Sequence, residues 1–435
     1  MSLVCIFIFN VFFCFKQIYL MFLLIGVLLL LMLVDFEFLF STMSTYLYID
    51  YLSYMMIFLS YMILLFIMIS EISKKSFLMV NNLFIMFLSL SFCFSSDNLF
   101  FFYVFFEFSL VPLIFIMLYV GGSMERFVSA MYLFLYTLFG SLFLLLLILL
   151  ISSSNSMMIE MTKSFSKNFG ILWSLMLLVF LIKTPMFSVH IWLPKAHVEG
   201  PVSCSMLLAG IFLKLGGFGL IRVFFYLNSN KVKIYNSVIM IMSMMGALFV
   251  CLICFRQMDL KVLVAYSSIS HMGLMLAGLF SMKQIGLISS VGMMLAHGFC
   301  SSSLFFMGNM MYERLKTRNL YLYKGMQMVF PLFSMFWLIF CVINMGSPPF
   351  YNFFMELMLI ISILSKSVFF SIILFFFMVG SVFYSLTLFM RVGSGSCWLF
   401  FFMNKETLCE MVVIIFHLLF LFLFIFKMNL FVCFF

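Results

Sequence analysis

Six ionisable side chains lie inside long apolar stretches of this sequence, where they could exchange protons. They are two glutamates, two lysines and two histidines: Glu107, Lys183, Lys214, His271, His297 and Glu356. A charge at the centre of a bilayer costs about 2.5–3.5 kcal/mol even on the insertion scale, so such residues are rarely without a function. Burial favours the neutral form of lysine and glutamate, a nearby opposite charge favours the charged form, and histidine titrates near neutral pH. The set predicts a proton path that requires neither a metal nor a bound substrate.

Small or polar residues share a helix face with several of these groups. Gly210 and Gly217 lie four residues before and three residues after Lys214, so another helix can approach the lysine closely. Four-residue spacing also joins three pairs: Ser267 with His271, His297 with Ser301, and Asn352 with Glu356. We expect these faces to point into a helix bundle. A Glu107–Lys183 pair whose separation changes would act as a switch for the lysine's proton.

Two alternatives for single residues stay open. Glu107 and Lys183 would be a fixed pair that sets helix register, or Lys214 would extend to the membrane surface. His190 and His197 are interpreted as structural rather than as metal ligands. Other lysines are interpreted as topology charges near the ends of spans: Lys16, Lys74 and Lys195, with Lys261 counted among the loop charges.

The composition defines the elements that must position these groups. The chain has 435 residues, of which 66% are hydrophobic and 9% charged, and its mean hydropathy is +1.29. Apolar runs long enough to cross a membrane recur throughout and show no strict alternation, which favours helices over a barrel. We predict an all-α polytopic membrane protein with about 14 transmembrane helices. The first helices can insert without a cleavable signal peptide.

Prolines interrupt two of the predicted helices. Pro185, Pro194 and Pro201 break the seventh, and Pro348 with Pro349 breaks the twelfth. Broken helices five spans apart predict two five-helix repeats, and an odd number of spans makes the second repeat inverted. The predicted division is residues 1–76 (N-terminal helices), 77–226 and 227–391 (the two repeats), and 392–435 (a C-terminal helix). Prolines also kink membrane helices routinely, so this pattern has a simpler alternative.

Other kinds of site receive no support. Cys251 and Cys254 have CxxC spacing, but neither a second pair nor a nearby histidine completes a zinc site. The sequence has no strand-associated GxGxxG motif and no phosphate-binding loop. The excess of 23 Lys and Arg over 14 Asp and Glu indicates basic loops rather than nucleic-acid binding. Their distribution predicts that both termini face away from the biosynthetic compartment.

Several motifs occur in a characteristic order and spacing: FFYVFFEFSLVPL, KTPMFSVHIWLPKAHVEGPVS, LLAGIFLKLGG, DLKVLVAYSSISHMG, MLAHGFCSSSLFFMGN and GSPPFYNFFMELMLI. Together they resemble the chain 4 family of mitochondrial NADH–ubiquinone oxidoreductase, the antiporter-like membrane subunits of respiratory complex I. The resemblance covers roughly residues 90–365 well and the two ends loosely. Gly200, Cys204 and Ser347 depart from the usual pattern, but none is titratable.

The resemblance implies a fold of two inverted five-helix repeats, each with a broken helix, and a hydrated charged row across mid-membrane. Matching positions imply a functional glutamate at Glu107, its partner at Lys183 and a central lysine at Lys214. They also imply relay histidines at His271 and His297, and the acidic residue of the broken twelfth helix at Glu356.

The implied function is proton translocation across the mitochondrial inner membrane, coupled to electron transfer from NADH to ubiquinone. NADH, FMN, iron–sulfur clusters and ubiquinone would be held by partner subunits, with no cofactor in this chain. Partners would be other membrane-arm subunits, including neighbouring antiporter-like and accessory subunits, and membrane lipids. Two alternatives are a subunit of a stand-alone cation/proton antiporter and a structural spacer whose charges only fix packing.

Overall fold

The computed structural model describes residues 50–71, 77–121, 124–151, 169–225, 232–395 and 407–426. These residues are almost entirely helical, and ten of their helices are long and apolar enough to cross a membrane. The prediction of an all-α membrane protein is therefore confirmed. The predicted spans near 2–15 and 17–34 lie outside the described residues, so the total of 14 stays a prediction.

The first half of the described chain runs from the helix before the first predicted repeat to the end of that repeat. Its helices are α1 (Tyr51–Ser70), α2 (Phe77–Ser95), α3 (Leu99–Phe108), α4 (Leu110–Val120), α5 (Arg126–Ile151), α6 (Phe169–Lys183), α7 (Trp192–Glu199), α8 (Val202–Leu207) and α9 (Leu213–Phe225). A π-helical turn, Leu208–Phe212, joins α8 to α9, so these two form one continuous span.

The second half contains the second predicted repeat and one further helix. Its α-helices are α10 (Val232–Cys254), α11 (Leu260–Phe280), α12 (Gln284–Leu315), α13 (Met326–Val329), α14 (Pro331–Asn344), α15 (Tyr351–Leu364), α16 (Phe370–Gly393) and α17 (Leu408–Phe426). The broken helix is α6–α7 in the first half and α14–α15 in the second, as predicted. The exact domain boundaries stay predictions.

Both breaks follow from backbone chemistry. Helix α6 ends at Lys183, two residues before Pro185, because proline lacks the N–H that a helix needs and disfavours helical geometry in the residue before it. Helix α14 ends at Asn344, and Gly346 then adopts a left-handed conformation with φ of +68°. Pro348 and Pro349 follow and delay the restart of the helix to Tyr351.

The apolar run near residues 98–120 predicts one continuous membrane-spanning helix, but the structure interrupts it. Helices α3 and α4 meet at Ser109. Pro112 lies four residues after Phe108 and has no N–H to donate to the Phe108 carbonyl, which accounts for the local disturbance. Ser109 keeps a helical backbone conformation and its N–H donates to Phe105 O, so the two helices still form one span.

The helices form an inner group and a peripheral group. Helices α1, α8–α9, α11 and α12 are buried over most of their most apolar stretches. Helices α5, α10, α16 and α17 expose large apolar side chains along their length, such as Phe139, Ile241, Phe375 and Leu419. Exposed apolar side chains on the periphery match a hydrocarbon surrounding, whereas the inner helices carry three of the six predicted site residues, Lys214, His271 and His297.

Ion pairs and backbone contacts define one end of the helix bundle, which we call the Arg318 face. Here Leu260 N donates to Arg318 O at 3.1 Å and Leu320 N to Met258 O at 2.9 Å. Arg314 pairs with Glu410 at 2.9 Å on the same side. The starts of α11 and α17 and the end of α12 therefore meet at the Arg318 face.

The opposite end of the bundle is held by different contacts. Arg222, near the end of α9, pairs with Asp50, which precedes α1. Lys283, just before α12, donates to Ser365 O at 3.1 Å, just after α15. Helix α12 therefore crosses the whole bundle from this end to the Arg318 face.

Two glycines bring α9 against the end of α6. A Cβ atom on Gly216 would lie 2.9 Å from Thr184 N and 3.0 Å from Phe180 O. A Cβ atom on Gly219 would lie 2.1 Å from the Phe180 ring. These approaches are closer than any side chain allows, so the first break and the helix that carries Lys214 pack backbone against backbone.

Candidate functional site

Lys214 lies in the first turn of α9, directly after the π-helical turn. Its side chain is 0% exposed. The ammonium group Nζ donates to Ala209 O and lies 2.9 Å from His297 Nδ1 on α12. A lysine and an imidazole that share a hydrogen bond can exchange one proton between them. One of the two predicted glycines packs these helices together, since a Cβ on Gly217 would lie 2.5 Å from Met294 Sδ of α12, whereas Gly210 faces Ile63 of α1.

His271, on α11, lies beside His297 and extends this contact. The two imidazole rings are 5.8 Å apart between centroids. His271 Nε2 shares a hydrogen bond of 2.9 Å with the Tyr384 hydroxyl of α16. Its other nitrogen, Nδ1, lies 3.4 Å from Glu356 Oε1. His271 is therefore placed between a second histidine and a carboxylate.

Glu356 ends this series from α15, just beyond the second break. Its side chain is buried, and its Oε2 atom lies so close to Gly346 that a Cβ there would be 2.0 Å away. The break thus provides space for the carboxylate. We call Lys214, His297, His271 and Glu356 the four-residue row; it joins α9, α12, α11 and α15 through the centre of the inner group.

Glu107 and Lys183 form a separate pair in the first half. Lys183, the last residue of α6, is 3% exposed, and its Nζ lies 3.9 Å from the centroid of the Phe106 ring. Each charge acts on the other. Within the described part of the chain, neither Lys183 Nζ nor Glu107 Oε1 has a hydrogen-bond partner. The pair is thus in electrostatic range but not closed into an ion pair.

The predicted polar neighbours are present, but they bind the backbone rather than the row. Ser267 Oγ donates to Val264 O at 2.7 Å, and Ser301 Oγ donates to His297 O at 2.7 Å. Asn352 Nδ2 donates to Ile343 O at 3.2 Å, across the second break. Serine hydroxyls in helices commonly donate a hydrogen bond to a backbone carbonyl of the preceding turn. The four-residue spacing alone does not exclude this arrangement.

One sequence assignment is wrong. Lys261 was interpreted as a loop charge, but it lies inside α11 and is 5% exposed. Its Nζ donates to Gly200 O at 3.2 Å, just after α7. The sequence places Lys261 after a charged, polar stretch, which hides its burial because burial there depends on α7 folding back over it.

Three further buried polar residues were missed or set aside by sequence reasoning. Tyr384 was missed because its partner, His271, is 113 residues away in the chain. His417 on α17 bonds Ser302 Oγ at 3.0 Å and Val413 O at 2.8 Å, which fixes α17 against α12. His197 was interpreted as structural, and it stacks on Phe305 with ring centroids 4.4 Å apart.

The described residues contain no group of three or more His, Cys, Asp or Glu side chains that could hold a metal ion. Cys251 and Cys254 are buried in α10 with free thiols. A Cβ on Gly380 of α16 would lie 3.2 Å from the Cβ of Cys251, so this cysteine packs against a neighbouring helix. The chemistry that the site can perform is proton exchange among nitrogen and oxygen groups.

Replacing Gly346 by alanine is expected to disturb Glu356 and lower the level of assembled protein. The new methyl group would meet Glu356 Oε2, and an alanine at φ of +68° costs about 1–3 kcal/mol in backbone strain. Gly395→Ala is the control, because Gly395 also has positive φ but faces only the flexible Lys324 side chain. Thermal stability and assembly are measured for both. Equal effects would show that backbone strain, and not contact with the carboxylate, is responsible.

Comparison with known proteins gives the family. A family model described as the NADH:quinone oxidoreductase/Mrp antiporter transmembrane region matches residues 96–384, which include all six predicted site residues. The chain belongs to this family. Within the NADH:quinone oxidoreductase/Mrp antiporter family, the chain is 42% identical over 334 residues to NADH-ubiquinone oxidoreductase chain 4 of Ceratitis capitata, which covers 75% of each chain.

Further family members agree. The chain 4 protein of Rhipicephalus sanguineus is 38% identical over 356 residues, covering 81% of this chain and 79% of the relative. The resemblance to chain 4 and the implied proton-translocating, membrane-arm role are confirmed by these relatives.

Solved structures of the family share the fold. A chain of respiratory complex I from Thermus thermophilus matches with a TM-score of 0.76 at 24% identity, covering 86% of this chain and 80% of that one. A chain of an archaeal membrane-bound sulfane sulfur reductase matches with a TM-score of 0.82 at 17% identity, covering 95% and 90%. A chain of the Mrp complex from Dietzia gives 0.74 at 19%, covering 80% and 67%. The fold is thus common to respiratory and antiporter complexes and does not distinguish between them.

Proposed function

We propose that this chain translocates protons through its four-residue row and the Glu107–Lys183 pair, as the chain 4 membrane-arm subunit of NADH:ubiquinone oxidoreductase. The observation that carries the proposal is the continuity of the row. Lys214 Nζ lies 2.9 Å from His297 Nδ1, the two imidazole rings are adjacent, and His271 Nδ1 lies 3.4 Å from Glu356 Oε1. Each member can hold or release one proton.

A proton can move along the row with its charge conserved at every step. The Lys214 ammonium gives a proton to His297 Nδ1 and becomes a neutral amine. The resulting imidazolium releases its other N–H proton, which His271 accepts at Nε2 as the Tyr384 hydroxyl changes from donor to acceptor there, and His271 gives the proton on Nδ1 to the Glu356 carboxylate. The Tyr384 hydroxyl, bound to His271 Nε2, orients this ring. Release of the proton from Glu356 and reprotonation of Lys214 reset the row.

The Glu107–Lys183 pair would control when this happens. When the pair closes, the carboxylate stabilises the Lys183 ammonium; when it opens, the lysine is left charged in an apolar setting and tends to lose its proton. Phe106 lies beside the ammonium, so opening the pair exchanges a carboxylate for an aromatic face. Both states are compatible with a lysine at the end of a broken helix, where Thr184 N still donates to Phe180 O at 2.8 Å but Pro185 has no N–H to continue the helix.

The finer assignments follow from the relatives. The chain would act in the mitochondrial inner membrane, beside neighbouring antiporter-like subunits, accessory subunits and lipids. NADH, FMN, iron–sulfur clusters and ubiquinone would be held by partner subunits.

Glu107→Gln tests the role of the pair. The amide keeps the size of the side chain but removes the charge that stabilises Lys183, so the switch is lost. We expect proton pumping by the reconstituted, assembled complex to fall at least about tenfold, since a positioned proton-transfer group typically contributes about 100-fold or more. NADH oxidation is measured in parallel. Glu125→Gln is the matched control, because Glu125 is exposed. Unchanged pumping in Glu107→Gln at normal assembly would contradict the proposed role.

A stand-alone cation/proton antiporter is the competing function, and the shared fold leaves it to experiment. The relatives at about 40% identity favour the respiratory role. Imposing a sodium gradient across vesicles that contain the assembled complex separates the two functions. We expect NADH-driven proton pumping to be independent of sodium; proton movement driven by the sodium gradient alone would favour the antiporter.

A further inference from the structure

His197 is a buried histidine whose ring lacks polar contacts. It lies in the last turn of α7 and is 0% exposed. Among the described residues, neither of its ring nitrogens has a hydrogen-bond partner. Its ring is held only by packing, parallel to Phe305 of α12 at 4.4 Å between centroids. Buried polar groups in proteins are normally hydrogen-bonded, so two unpartnered nitrogens on one ring require an explanation.

The surroundings of His197 are cationic and titratable. The ring lies within electrostatic range of Lys261 and Lys214 and of His297. The site is therefore adjacent to the lysine end of the four-residue row. If residue 197 only packed against Phe305, an apolar side chain of the same shape would avoid the free-energy cost of burying two unpartnered nitrogens.

Lys261 connects this site to the Arg318 face. Its Nζ donates to Gly200 O, three residues after His197 in the chain. The lysine also lies within electrostatic range of Glu199 and Arg318, and those two residues form an ion pair of 3.0 Å whose side chains are 15% and 25% exposed. The ammonium of Lys261 is thus buried directly beneath a charged pair that reaches the surface of the protein.

We propose that Lys261 and His197 form a branch through which protons pass between the Arg318 face and Lys214. The Lys261 ammonium gives a proton to one ring nitrogen of His197, and the imidazolium then gives the proton on its other nitrogen to the neutral amine of Lys214. The neutral Lys261 amine then takes up a proton at the Arg318 face and a turn of the His197 ring restores its tautomer, so one proton enters, one leaves and the branch returns to its starting state. Both nitrogens of the ring are needed, which explains why neither is tied to a fixed partner.

The branch rests on the proposed function of the row. It would let the row exchange protons with one face of the membrane. The row itself ends at Lys214 in the first half and Glu356 in the second. The branch would join Lys214 to the Arg318 face through α7, the segment that follows the first break. The break would then serve two groups, since it ends α6 at Lys183 and allows α7 to bring His197 toward Lys214.

The test compares substitutions that keep packing or charge but prevent proton exchange. His197→Gln retains a polar side chain of similar length that does not titrate. Lys261→Arg keeps the charge and a donor for Gly200 O, but arginine does not release its proton. Lys261→Met removes the charge, and Lys195→Arg on the same helix as His197 is the matched control, because Lys195 is exposed. Proton pumping, NADH oxidation and the level of the assembled complex are measured for each.

We expect pumping to fall at least about tenfold in His197→Gln and Lys261→Arg, as for the loss of a proton-transfer group, while Lys195→Arg matches the unaltered complex. Lys261→Arg should be no better than Lys261→Met, whereas a purely structural role predicts that arginine rescues. If Lys261→Arg fails to assemble, His197→Gln decides. Normal pumping in His197→Gln overturns the branch. If Lys214→Ala also pumps normally, the row itself is wrong; if only Lys214→Ala is impaired, the row stands and the branch does not.

Discussion

Lys214→Ala is expected to abolish proton pumping while the complex still assembles. The substitution removes the lysine that shares a hydrogen bond with His297, so the His297 Nδ1 atom loses its partner at 2.9 Å. A loss of at least about tenfold is expected, in line with the usual contribution of a positioned proton-transfer group. Removing a buried charge avoids its cost in the apolar interior, so stability should not suffer from the missing ammonium itself.

The measurement is proton uptake and release by reconstituted complex, read against NADH oxidation and against the amount of assembled complex. Lys195→Ala provides the control, since Lys195 lies on an exposed surface and its Nζ contacts the Tyr132 ring. If Lys214→Ala pumps and oxidises NADH at normal rates, the buried row only fixes packing. The structural-spacer alternative would then be correct.

Glu356→Gln is expected to have the second-largest effect. The amide fills the space beside Gly346 but cannot accept a proton from His271 Nδ1, so the row would lose its acidic end. We expect pumping to fall at least about tenfold. Tyr384→Phe offers a graded comparison, because it removes only the hydroxyl that holds His271 Nε2 at 2.9 Å. Since that hydroxyl orients the ring without passing the proton onward, a decrease of only about threefold is expected, as for a net hydrogen bond of about 0.5–1.5 kcal/mol.

Proton pumping by both variants is measured and normalised to the amount of assembled complex. A Tyr384→Phe variant more impaired than Glu356→Gln would reverse the roles given to the two partners of His271. The route would then run from His271 through the tyrosine and α16, and Glu356 would be a structural counter-charge.

The helical fold was predictable because its signals are local. The apolar runs near residues 51–70 and 77–95 predict α1 and α2 at their observed bounds, and the prolines predict both breaks. The π-helical turn before Lys214 was not predictable, since it depends on how the lysine and Ala209 are placed among neighbouring helices. The interruption at Ser109 has a local cause, Pro112, so it was predictable from the sequence although the run was predicted to be continuous.

The members of the site were predictable, but their partners were not. A charge in an apolar run identifies Lys214 and Glu356 by its cost alone. Which groups meet is a matter of tertiary packing: Lys214 and His297 are 83 residues apart, and Tyr384 is 113 residues from His271. The burial of Lys261 was not predictable, because a charge at the start of a helix resembles a loop charge unless another segment of the chain covers it.

The close contact of Gly216 and Gly219 with Thr184 and Phe180 has a mechanical consequence. Sliding α9 along the end of α6 would bring Gly216 and Gly219 into steric clash with Thr184 and Phe180, so we expect the two helices to move together. Lys183 and Lys214 would then keep a common frame, and side-chain rotation rather than helix displacement would set their distance. We expect any hinge to lie beyond Thr184, in the segment that leads to α7 and carries His190.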